Sequence, residues 1–572
     1  MLVGKKMTNR FLTSFFVVCL FLFLPLQSNG QVGSAKSYKN GVIVSAEQRA
    51  SAIGKEILQQ GGNAVDAAVS IQFALAVTLP RAGNIGGGGF MVLHTADGNT
   101  RALDFREEAP RKASSDMYLR NGEYIPELSR RGALAVGVPG VVDGMIKGLE
   151  YYGRLPLETV MQPAIELAQK GYALSWAQAQ SLNSKGEAFK QFKSSSDYFL
   201  KENNAPWQEG DLFVQKDLAK TLERIANRGR DGFYSGKTAD LIVEEMQNQG
   251  GLITYDDLDN YESVWRTPVK ASFRGYDLHI MPPPSSGSIA VHQILEMLKP
   301  FELKKMEFNS TNYVHLVTET MRRAFADRAY FLGDPDFVDI PQERLLSDSY
   351  NKKRMQSFNN DKANSSDEIG HGDIPFLKES SQTTHYSIVD KDGNAVSVTT
   401  TLNGSFGSKL AVGGAGFVLN NEMDDFTAEP SEPNMYGLIQ GKANAVQPQK
   451  RMISSMTPTI VTKNGSICMV LGAAGGPRII TATLQNFLNL AVFGMAPQQA
   501  ISAPRFHHQW MPDKLYYEEF GLSPDTRNKL SNMGHNLQPR GHIGRAHSIF
   551  IDEDGLKYGS ADPRAHGSAE GY

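Results

Sequence analysis

The amino-acid sequence predicts a fold in which α-helices pack on antiparallel β-strands. Two adjacent stretches near the start have helical patterns: residues 45–60 are amphipathic, and residues 64–77 are almost entirely apolar, as in a buried helix. Ser45 begins a capping-box pattern before the first helix, and Asn63 can cap the second. Further helical patterns cover most of residues 157–247 and residues 312–330.

The clearest β-hairpin lies in the second half of the chain, within residues 384–402. Strand-like residues flank an Asp-Gly turn at 392–393, and the second strand is rich in Val and Thr. A two-residue loop at this turn makes Thr401 and Asn403 the diagonal neighbours of Thr383, within about one residue of register. The hairpin therefore predicts three polar side chains together at its open end.

Length and composition exclude several classes of protein. The 572 residues, at roughly 150 per domain, predict about four domains or one large two-part fold. Hydrophobic residues make up 41% and charged residues 21%, which excludes a disordered or collagen-like chain. The net charge of -3 gives no indication of nucleic-acid binding, and two cysteines cannot form a disulfide scaffold.

The N-terminus has the pattern of a secretory signal peptide. Three basic residues precede an apolar stretch at residues 11–26, and a polar run at 27–31 follows. We expect residues 1–30 to be removed and the protein to be exported to a bacterial periplasm or the cell exterior. Because this 16-residue stretch falls short of the roughly 20 apolar residues that span a bilayer, an uncleaved membrane anchor is the weaker alternative. Export would leave Cys468 alone, with no internal disulfide.

A polar run at residues 359–368 precedes the hairpin. It contains too few apolar residues to bury itself, so we expect residues 355–382 to form an exposed, flexible linker. Such a linker before Gln382-Thr383 and a core strand is what a self-cleaving precursor needs. A threonine at a new chain start can use its own α-amine as the base. From these residues alone, the favoured interpretation of Thr383 and Thr384 is that they are ordinary strand formers.

Eight ordered blocks of sequence carry a resemblance to a known family. They are Ala82–Phe90 (AGNIGGGGF), Asp104–Glu107 (DFRE), Met281–Gly287 (MPPPSSG), Gly333–Phe337 (GDPDF), Thr383–Ser387 (TTHYS), Asn420–Phe426 (NNEMDDF), Ser454–Pro458 (SSMTP) and Ala503–Trp510 (APRFHHQW). With these blocks, the chain from about Gly41 to its end resembles the γ-glutamyltransferases (glutathione hydrolases) of the N-terminal-nucleophile hydrolase superfamily.

The resemblance implies a four-layer αββα sandwich formed by both halves of a self-cleaved precursor. Cleavage between Gln382 and Thr383 would give a large subunit of residues 31–382 and a small subunit of residues 383–572, which together form a heterodimer. Thr383 would be the nucleophile, with Thr401 hydrogen-bonded to it. The implied substrates are glutathione and other γ-glutamyl compounds, with water, an amino acid or a dipeptide as acceptor. No metal or organic cofactor is implied.

The remaining site residues are also implied by the resemblance, by the substrate group that each would contact. A substrate α-carboxylate would be held by Arg106 with Asn403, Ser454 and Ser455, and an α-ammonium by Glu422 and Asp425. Gly475 and Gly476 would form the oxyanion hole, and Tyr436 lies in a segment similar to the family's lid loop. The sequence departs from the family pattern around the glycine pair, where Ala473-Ala474 precede it and Pro477 follows.

Three alternatives stay open at this stage. A cephalosporin acylase or a poly-γ-glutamate hydrolase would use the same machinery on another acyl group, although the lid-like segment favours glutathione-like substrates. A non-catalytic binding protein would keep the fold without maturing.

Overall fold

A computed structural model describes residues 34–369, 383–427, 434–435, 438 and 441–572. The predicted signal peptide and the site residues Gln382 and Tyr436 lie outside the described residues. Within the described ranges, no helix has both the length and the apolar character needed to cross a membrane.

Two antiparallel sheets form the centre of the molecule. The first has seven strands, in the spatial order Ser568–Gly571, Val42–Ser45, Thr384–Val389, Ala395–Thr401, Gly88–His94, Thr100–Phe105 and Val264–Arg266. The second has eight strands, in the order Lys36–Tyr38, Lys557–Ala561, Arg545–Ile551, Ser466–Leu471, Thr459–Lys463, Tyr276–Ile280 and Val269–Phe273, with Ala473–Ala474 also paired to Arg545–Ile551. Each sheet therefore combines strands from both sides of residue 383.

Helices cover the outer face of each sheet. Gln48–Gln59, Ala64–Thr78 and Val141–Tyr152 contact the seven-stranded sheet, and Leu157–Lys170, Lys216–Arg228 and Gly236–Gln249 form further helical packing on that side. Gly287–Leu298, Arg478–Ala491 and Pro497–Ser502 contact the eight-stranded sheet, and Thr311–Phe331 packs on Gly287–Leu298. Shorter helices are Pro126–Arg130, Trp176–Asn183, Gly186–Phe189, Lys193–Phe199, Asp231–Tyr234, Tyr255–Asp259, Gln342–Leu346, Asp348–Arg354, Ser366–Ile369 and Pro524–Asn532. Small sheets pair Leu119–Arg120 with Glu123–Tyr124, Tyr172–Ala173 with Leu212–Phe213, and Phe506–His507 with Leu515–Glu518 and Leu537–Arg540.

Separate apolar cores fill the three spaces between these layers. Successive residues of a strand point to opposite faces of its sheet, and strand Val42–Ser45 shows this directly. Ile43 packs under the helices, whereas Val42 and Val44 pack between the sheets against residues such as Ile549. A third core lies between the eight-stranded sheet and its helices. The αββα sandwich that the resemblance implied is therefore confirmed.

The two predicted N-terminal helices are present, with one capping residue corrected. Ser45 ends a strand, and the N-cap of helix Gln48–Gln59 is Glu47, whose carboxylate accepts from the Ala50 N–H. Ser45 instead donates its hydroxyl hydrogen to the Glu47 carbonyl oxygen. Asn63 caps helix Ala64–Thr78 as predicted, in a complete capping box with Asp66.

The predicted hairpin is present, but its register is shifted by one residue. Thr384 faces Thr400, whereas the two-residue loop predicted Thr401. The loop has three residues, 391–393. The Asp390 carboxylate accepts from the Asn394 N–H across it, and Gly393 takes the positive φ of 93° that closes such a loop. The same offset brings Thr383 directly opposite Thr401.

Part of the predicted linker is buried, which corrects the expectation of an exposed segment. Residues 359–362 are exposed as expected, but Ser366 and Ile369 are buried. Ser366 donates to the Trp510 carbonyl oxygen, and Arg323 donates to the Asn364 side chain. Polar residues are held here by partners elsewhere in the fold, which composition does not reveal. Residues 370–382 lie outside the described residues.

We expect Asn63→Ala to destabilise the fold more than the loss of an N-cap residue on an exposed helix does. It removes the cap of a fully buried helix and the 2.6 Å hydrogen bond from Asn63 Nδ2 to the Tyr152 carbonyl. The expected cost is about 2 kcal/mol, seen as a lower unfolding temperature. The matched control is Ser523→Ala, at the exposed cap of Pro524–Asn532, with an expected cost of about 1 kcal/mol or less. Equal losses in both variants would contradict the role given to Asn63.

Candidate active site

The ends of four adjacent strands meet at one edge of the seven-stranded sheet. Thr384–Val389 and Gly88–His94 begin there, and Ala395–Thr401 and Thr100–Phe105 end there, because neighbours in the sheet are antiparallel. Thr383 and Arg106 directly adjoin these strand ends. A small cavity at this edge is lined by Arg106, Arg328, Thr383, Thr401, Asn403, Glu422, Asp425, Leu438, Ser454, Ser455, Met456, Gly476, Pro477 and Ile479. Nine of these residues were predicted from the sequence.

Thr383 and Thr401 are buried at this edge, with exposed fractions of 5% and 3%. The Thr401 hydroxyl oxygen accepts from the Asn403 N–H at 2.7 Å, and the Asn84 side chain donates to the Thr401 carbonyl at 2.9 Å. A Cβ on Gly87 would collide with that same carbonyl oxygen. The glycine run at residues 86–89 thus lets backbone pass close to Thr401.

Arg106, Glu107, Glu422 and Asp425 form a buried charge cluster at the cavity. Arg106 lies 2.7 Å from a carboxylate oxygen of Glu422, 2.7 Å from one of Asp425 and 3.4 Å from one of Glu107. The resemblance assigned Arg106 and the two acidic residues to opposite ends of a substrate. In the structure they lie next to each other and form ion pairs.

Burial shifts the pKa values of the acidic groups in this cluster. Burial raises the pKa of Glu107 to about 7 and that of Asp425 to about 6, and Arg106 only partly offsets it. Burial also raises the pKa of Glu422. Burial opposes the charge of Arg106, but Glu422, Glu107 and Asp425 together outweigh it and raise its pKa.

Arg328 is a cavity residue that the sequence analysis missed. It lies near the end of helix Thr311–Phe331, where its Nε donates to Ser286 at 2.9 Å and its Nη2 to Ser455 at 3.3 Å. Its Nη1 is buried without a hydrogen-bond partner among the described residues. Burial lowers its pKa to about 10. In the sequence, Arg328 is one of several charges in a helical pattern, and no local signal distinguishes it.

The serine pair is held by the Pro-rich block. The Ser454 N–H donates to the Pro284 carbonyl at 2.9 Å, and the Ser454 hydroxyl oxygen accepts from the Met456 N–H at 3.1 Å. These contacts fix the backbone of Ser454 and Ser455 beside Arg328. They also join two blocks that are distant in sequence, Met281–Gly287 and Ser454–Pro458.

The glycine pair follows a short strand and precedes a helix. Gly475 and Gly476 have φ values of 135° and 60°, which glycine adopts without strain. Gly476 lines the cavity, and Gly475 lies behind it, against Gly544. Pro477 is the N-cap of helix Arg478–Ala491, with a φ of -59° that suits a helix start. The departure from the family pattern is therefore compatible with an ordered loop.

One cluster among the described residues has metal-ligand chemistry, and it does not line the cavity. Ligand atoms of His315, Glu319 and His535 lie within 4.8 Å of one another. His315 Nδ1 and His535 Nε2 are hydrogen-bonded at 2.7 Å, and Glu319 is ion-paired with Arg322 and Arg323. The two histidines therefore pair with each other and Glu319 pairs with arginines, while His535 Nδ1 is buried without a hydrogen-bond partner among the described residues.

Two stacked antiparallel sheets between helical layers, with a threonine at the start of a central strand, define the class of N-terminal-nucleophile hydrolases. Residues 50–572 match the family model described as gamma-glutamyltranspeptidase. The chain therefore belongs to the gamma-glutamyltranspeptidase family.

Individual relatives agree with this assignment. The chain is 47% identical over 530 residues to the glutathione hydrolase proenzyme of Escherichia coli (strain K12), covering 92% of this chain and 91% of that protein. The solved Helicobacter pylori gamma-glutamyltranspeptidase is 46% identical with a TM-score of 0.57, covering 60% of this chain and 97% of its own. A cephalosporin acylase from Bacillus halodurans has a TM-score of 0.85 at 27% identity, covering 95% and 97%. The fold is thus shared with an acylase, whereas sequence identity is higher to the hydrolase.

We expect Glu107→Gln to stabilise the protein at alkaline pH. Because the pKa of Glu107 rises from 4.5 to about 7 on folding, its contribution to the unfolding free energy falls as pH rises through this interval and is constant above it. Glutamine does not ionise, so the variant does not lose this stability as pH rises. At pH 8 it should therefore unfold at a higher temperature than the wild type, by the equivalent of about 1–3 kcal/mol, and at pH 5 the two proteins should differ little.

The control for this comparison is Glu56→Gln, an exposed glutamate on helix Gln48–Gln59, which should show no such pH dependence. A Glu107→Gln variant that is less stable than the wild type at pH 8 would mean that pairing with Arg106 outweighs the cost of burial.

Proposed function

We propose that this protein is a self-processing glutathione hydrolase and γ-glutamyltransferase with Thr383 as its nucleophile. The observation that carries the proposal is the single cavity where Thr383 and Thr401 lie beside Arg106, Glu422 and Asp425. The name of the Escherichia coli relative, a glutathione hydrolase proenzyme, supports both the substrate and the processing.

Maturation begins at the bond between Gln382 and Thr383. The Thr383 hydroxyl oxygen attacks the Gln382 carbonyl carbon, and breakage of the C–N bond leaves an ester and a free α-amine on Thr383. Water then hydrolyses the ester, which gives residue 382 a carboxylate and restores the Thr383 hydroxyl. The products are a large subunit ending at residue 382 and a small subunit beginning at residue 383. Each sheet contains strands from both, so the two subunits stay together as a heterodimer.

The freed α-amine then serves as the general base. It takes the hydroxyl proton as Thr383 Oγ attacks the γ-carbonyl carbon of the substrate, and backbone N–H groups at Gly475 and Gly476 stabilise the oxyanion. The proton passes to the leaving amine, which is Cys-Gly when glutathione is the substrate. Water, or the amine of an amino acid or dipeptide, then attacks the γ-glutamyl ester and releases Thr383. Thr401 holds the hydroxyl in position.

The charge cluster binds the α-amino acid end of the γ-glutamyl group. Arg106 offers parallel N–H donors to the α-carboxylate, and Ser454, Ser455 and Asn403 add neutral hydrogen bonds. Glu422 and Asp425 bind the α-ammonium. Because the same groups pair with one another in the structure, the substrate replaces ion pairs with ion pairs and does not leave charges unpaired.

Export of this enzyme remains part of the proposal, supported by the signal-peptide pattern of residues 1–30. A periplasmic or extracellular enzyme would act on γ-glutamyl compounds outside the cytoplasm.

The second candidate function is that of a cephalosporin acylase, favoured by the fold similarity to the Bacillus halodurans protein. A glutaryl side chain has no α-ammonium to pair with Glu422 and Asp425. Its carboxylate would enter a cluster that already contains three carboxylates. The γ-glutamyl group is therefore the better match to this cavity.

Self-cleavage is tested by the intact mass of the purified protein under denaturing conditions. We expect two chains, with the smaller beginning at Thr383, and we expect Thr383→Ala to give a single inactive chain. Thr384→Ala is the matched control. The Thr384 hydroxyl is next in sequence to that of Thr383, but it is buried in the strand and should not be needed for cleavage. A Thr383→Ala protein that still matures would show that another residue is the nucleophile, and an uncleaved wild type would favour the binding-protein alternative.

Substrate choice is tested by comparing a γ-glutamyl anilide with the corresponding glutaryl anilide. We expect kcat/KM to be at least about 100-fold higher for the γ-glutamyl compound, because an ion pair with a buried carboxylate is worth several kcal/mol. Asp425→Asn should reduce this preference mainly through a higher KM for the γ-glutamyl anilide. Asp424→Asn is the control, since Asp424 is turned toward Ser129 and Arg130. Equal turnover of both anilides would support the acylase.

A further inference from the structure

Arg328 is a buried arginine of the candidate active site to which the proposed function gives no role. It is 2% exposed, lines the same cavity as Thr383, and lies near the end of helix Thr311–Phe331. Within the described part of the chain, its guanidinium forms no ion pair, and it donates only to the hydroxyls of Ser286 and Ser455. A buried cation that is held only by neutral groups is stabilised when an anion binds beside it.

The three nitrogens of the Arg328 guanidinium have different surroundings. Nε donates to Ser286 at 2.9 Å, and Nη2 donates to Ser455 at 3.3 Å. Nη1 is buried and has no hydrogen-bond partner in the ranges that the structure describes. A buried donor without a partner costs about 1–3 kcal/mol, and more when the group is charged. Because Arg328 lines the cavity, an acceptor that enters the cavity can remove this cost.

The two serines beside Arg328 are not equivalent. The Ser286 hydroxyl donates its hydrogen to the Ser454 carbonyl oxygen at 2.7 Å, so it can only accept from Arg328. The Ser455 hydroxyl also accepts from Arg328, but its own hydrogen has no acceptor among the described residues. One guanidinium N–H and one hydroxyl hydrogen are therefore available close together, which matches the two oxygens of a carboxylate.

Arg106, the other arginine of the cavity, is already paired. Its Nη1 lies 2.7 Å from a carboxylate oxygen of Glu422 and 3.4 Å from one of Glu107, and its Nη2 lies 2.7 Å from one of Asp425. A ligand carboxylate that binds Arg106 competes with these carboxylates. The same ligand group can bind Arg328 Nη1 without displacing any group of the described residues.

Arg328 also keeps its charge in the cavity. Burial lowers its pKa to about 10, and the charge of Asp425 acts in the opposite direction. A guanidinium with this pKa is protonated throughout the neutral pH range, so it offers a charged donor under ordinary assay conditions.

We propose that Arg328 determines specificity for the α-carboxylate of the γ-glutamyl group, with Nη1 donating to one carboxylate oxygen and Ser455 donating to the other. This inference rests on the proposed function, which supplies the γ-glutamyl ligand. Arg328 shares the α-carboxylate with Arg106 and contributes the donor that is not already engaged within the protein.

The test compares L-glutamine with its α-amide as competitive inhibitors of γ-glutamyl anilide hydrolysis by the mature protein. The two ligands differ only at the α-carboxylate, which the amide replaces with a neutral group of similar shape. Arg328→Gln should raise the inhibition constant of L-glutamine at least about tenfold, because a charged donor to the carboxylate is lost, and that of the α-amide by no more than about threefold. Equal changes for both ligands, or no change for either, would overturn the proposal.

A second variant keeps the proposal testable if Arg328→Gln does not fold or mature. Arg328→Lys retains the positive charge, but one ammonium cannot reproduce the planar set of donors that holds both serines and a ligand. The preference for L-glutamine over its α-amide should therefore fall at least about threefold. An unchanged preference in this variant would also contradict the role given to Arg328.

Arg323→Gln is the matched control. Arg323 lies on the same helix, is equally buried, and pairs with Glu319 away from the cavity. Its loss should lower the unfolding temperature and leave both inhibition constants as in the wild type. The control thus separates a general loss of stability from a loss of contact with the carboxylate.

Failure of this inference can be distinguished from failure of the proposed function. A wild type that does not hydrolyse the γ-glutamyl anilide contradicts the proposed function, and calorimetric titration with the same two ligands then still tests Arg328. A wild type that hydrolyses the anilide, with variants that affect both ligands equally, contradicts only the role of Arg328.

Discussion

The candidate site depends on one buried guanidinium, that of Arg106, which joins segments from both halves of the chain. Its side chain is 1% exposed, pairs with Glu422 and Asp425, and donates to the carbonyl oxygens of Met452 and Ile453 at 3.3 Å each. Without this charge, Glu107, Glu422 and Asp425 would lose the arginine that contacts all three of them. Arg106 therefore organises the loops of the site as well as offering donors to a ligand, and loss of binding in an Arg106 variant would combine both effects.

The glycine run explains how the backbone can reach this position. A Cβ on Gly87 would collide with the Thr401 carbonyl oxygen, and a Cβ on Gly88 would lie 2.5 Å from a carboxylate oxygen of Glu107. The run thus brings strand Gly88–His94 against both the threonine pair and the charge cluster. The hairpin register places Thr401 opposite Thr383, and the glycine run lets the neighbouring strand pair closely with Thr401 on its other side.

Much of the site could be predicted because its residues occur in short ordered blocks. The hairpin placed Thr383, Thr401 and Asn403 together even though its register was wrong by one residue, since Asp390 bridges a three-residue loop. Arg328 could not be predicted, because it reaches the cavity from a helix with several charged residues. Nothing in the sequence distinguishes Arg328 from the others. The pairing of Arg106 with Glu422 could not be predicted either, since it depends on how distant loops pack.

The charge count in the cavity gives a physical reason for substrate preference under the proposed function. Arg106 and Arg328 contribute two positive charges, and Glu107, Glu422 and Asp425 contribute three negative ones when ionised. Burial raises the pKa values of Glu107 and Asp425, and neighbouring carboxylates raise them further by a smaller amount. A ligand carrying both an ammonium and a carboxylate adds no net charge to the cluster, whereas one with only a carboxylate increases the excess. Discrimination against glutaryl compounds would then come from the cluster as a whole, and it would strengthen as rising pH ionises first Asp425 and then Glu107.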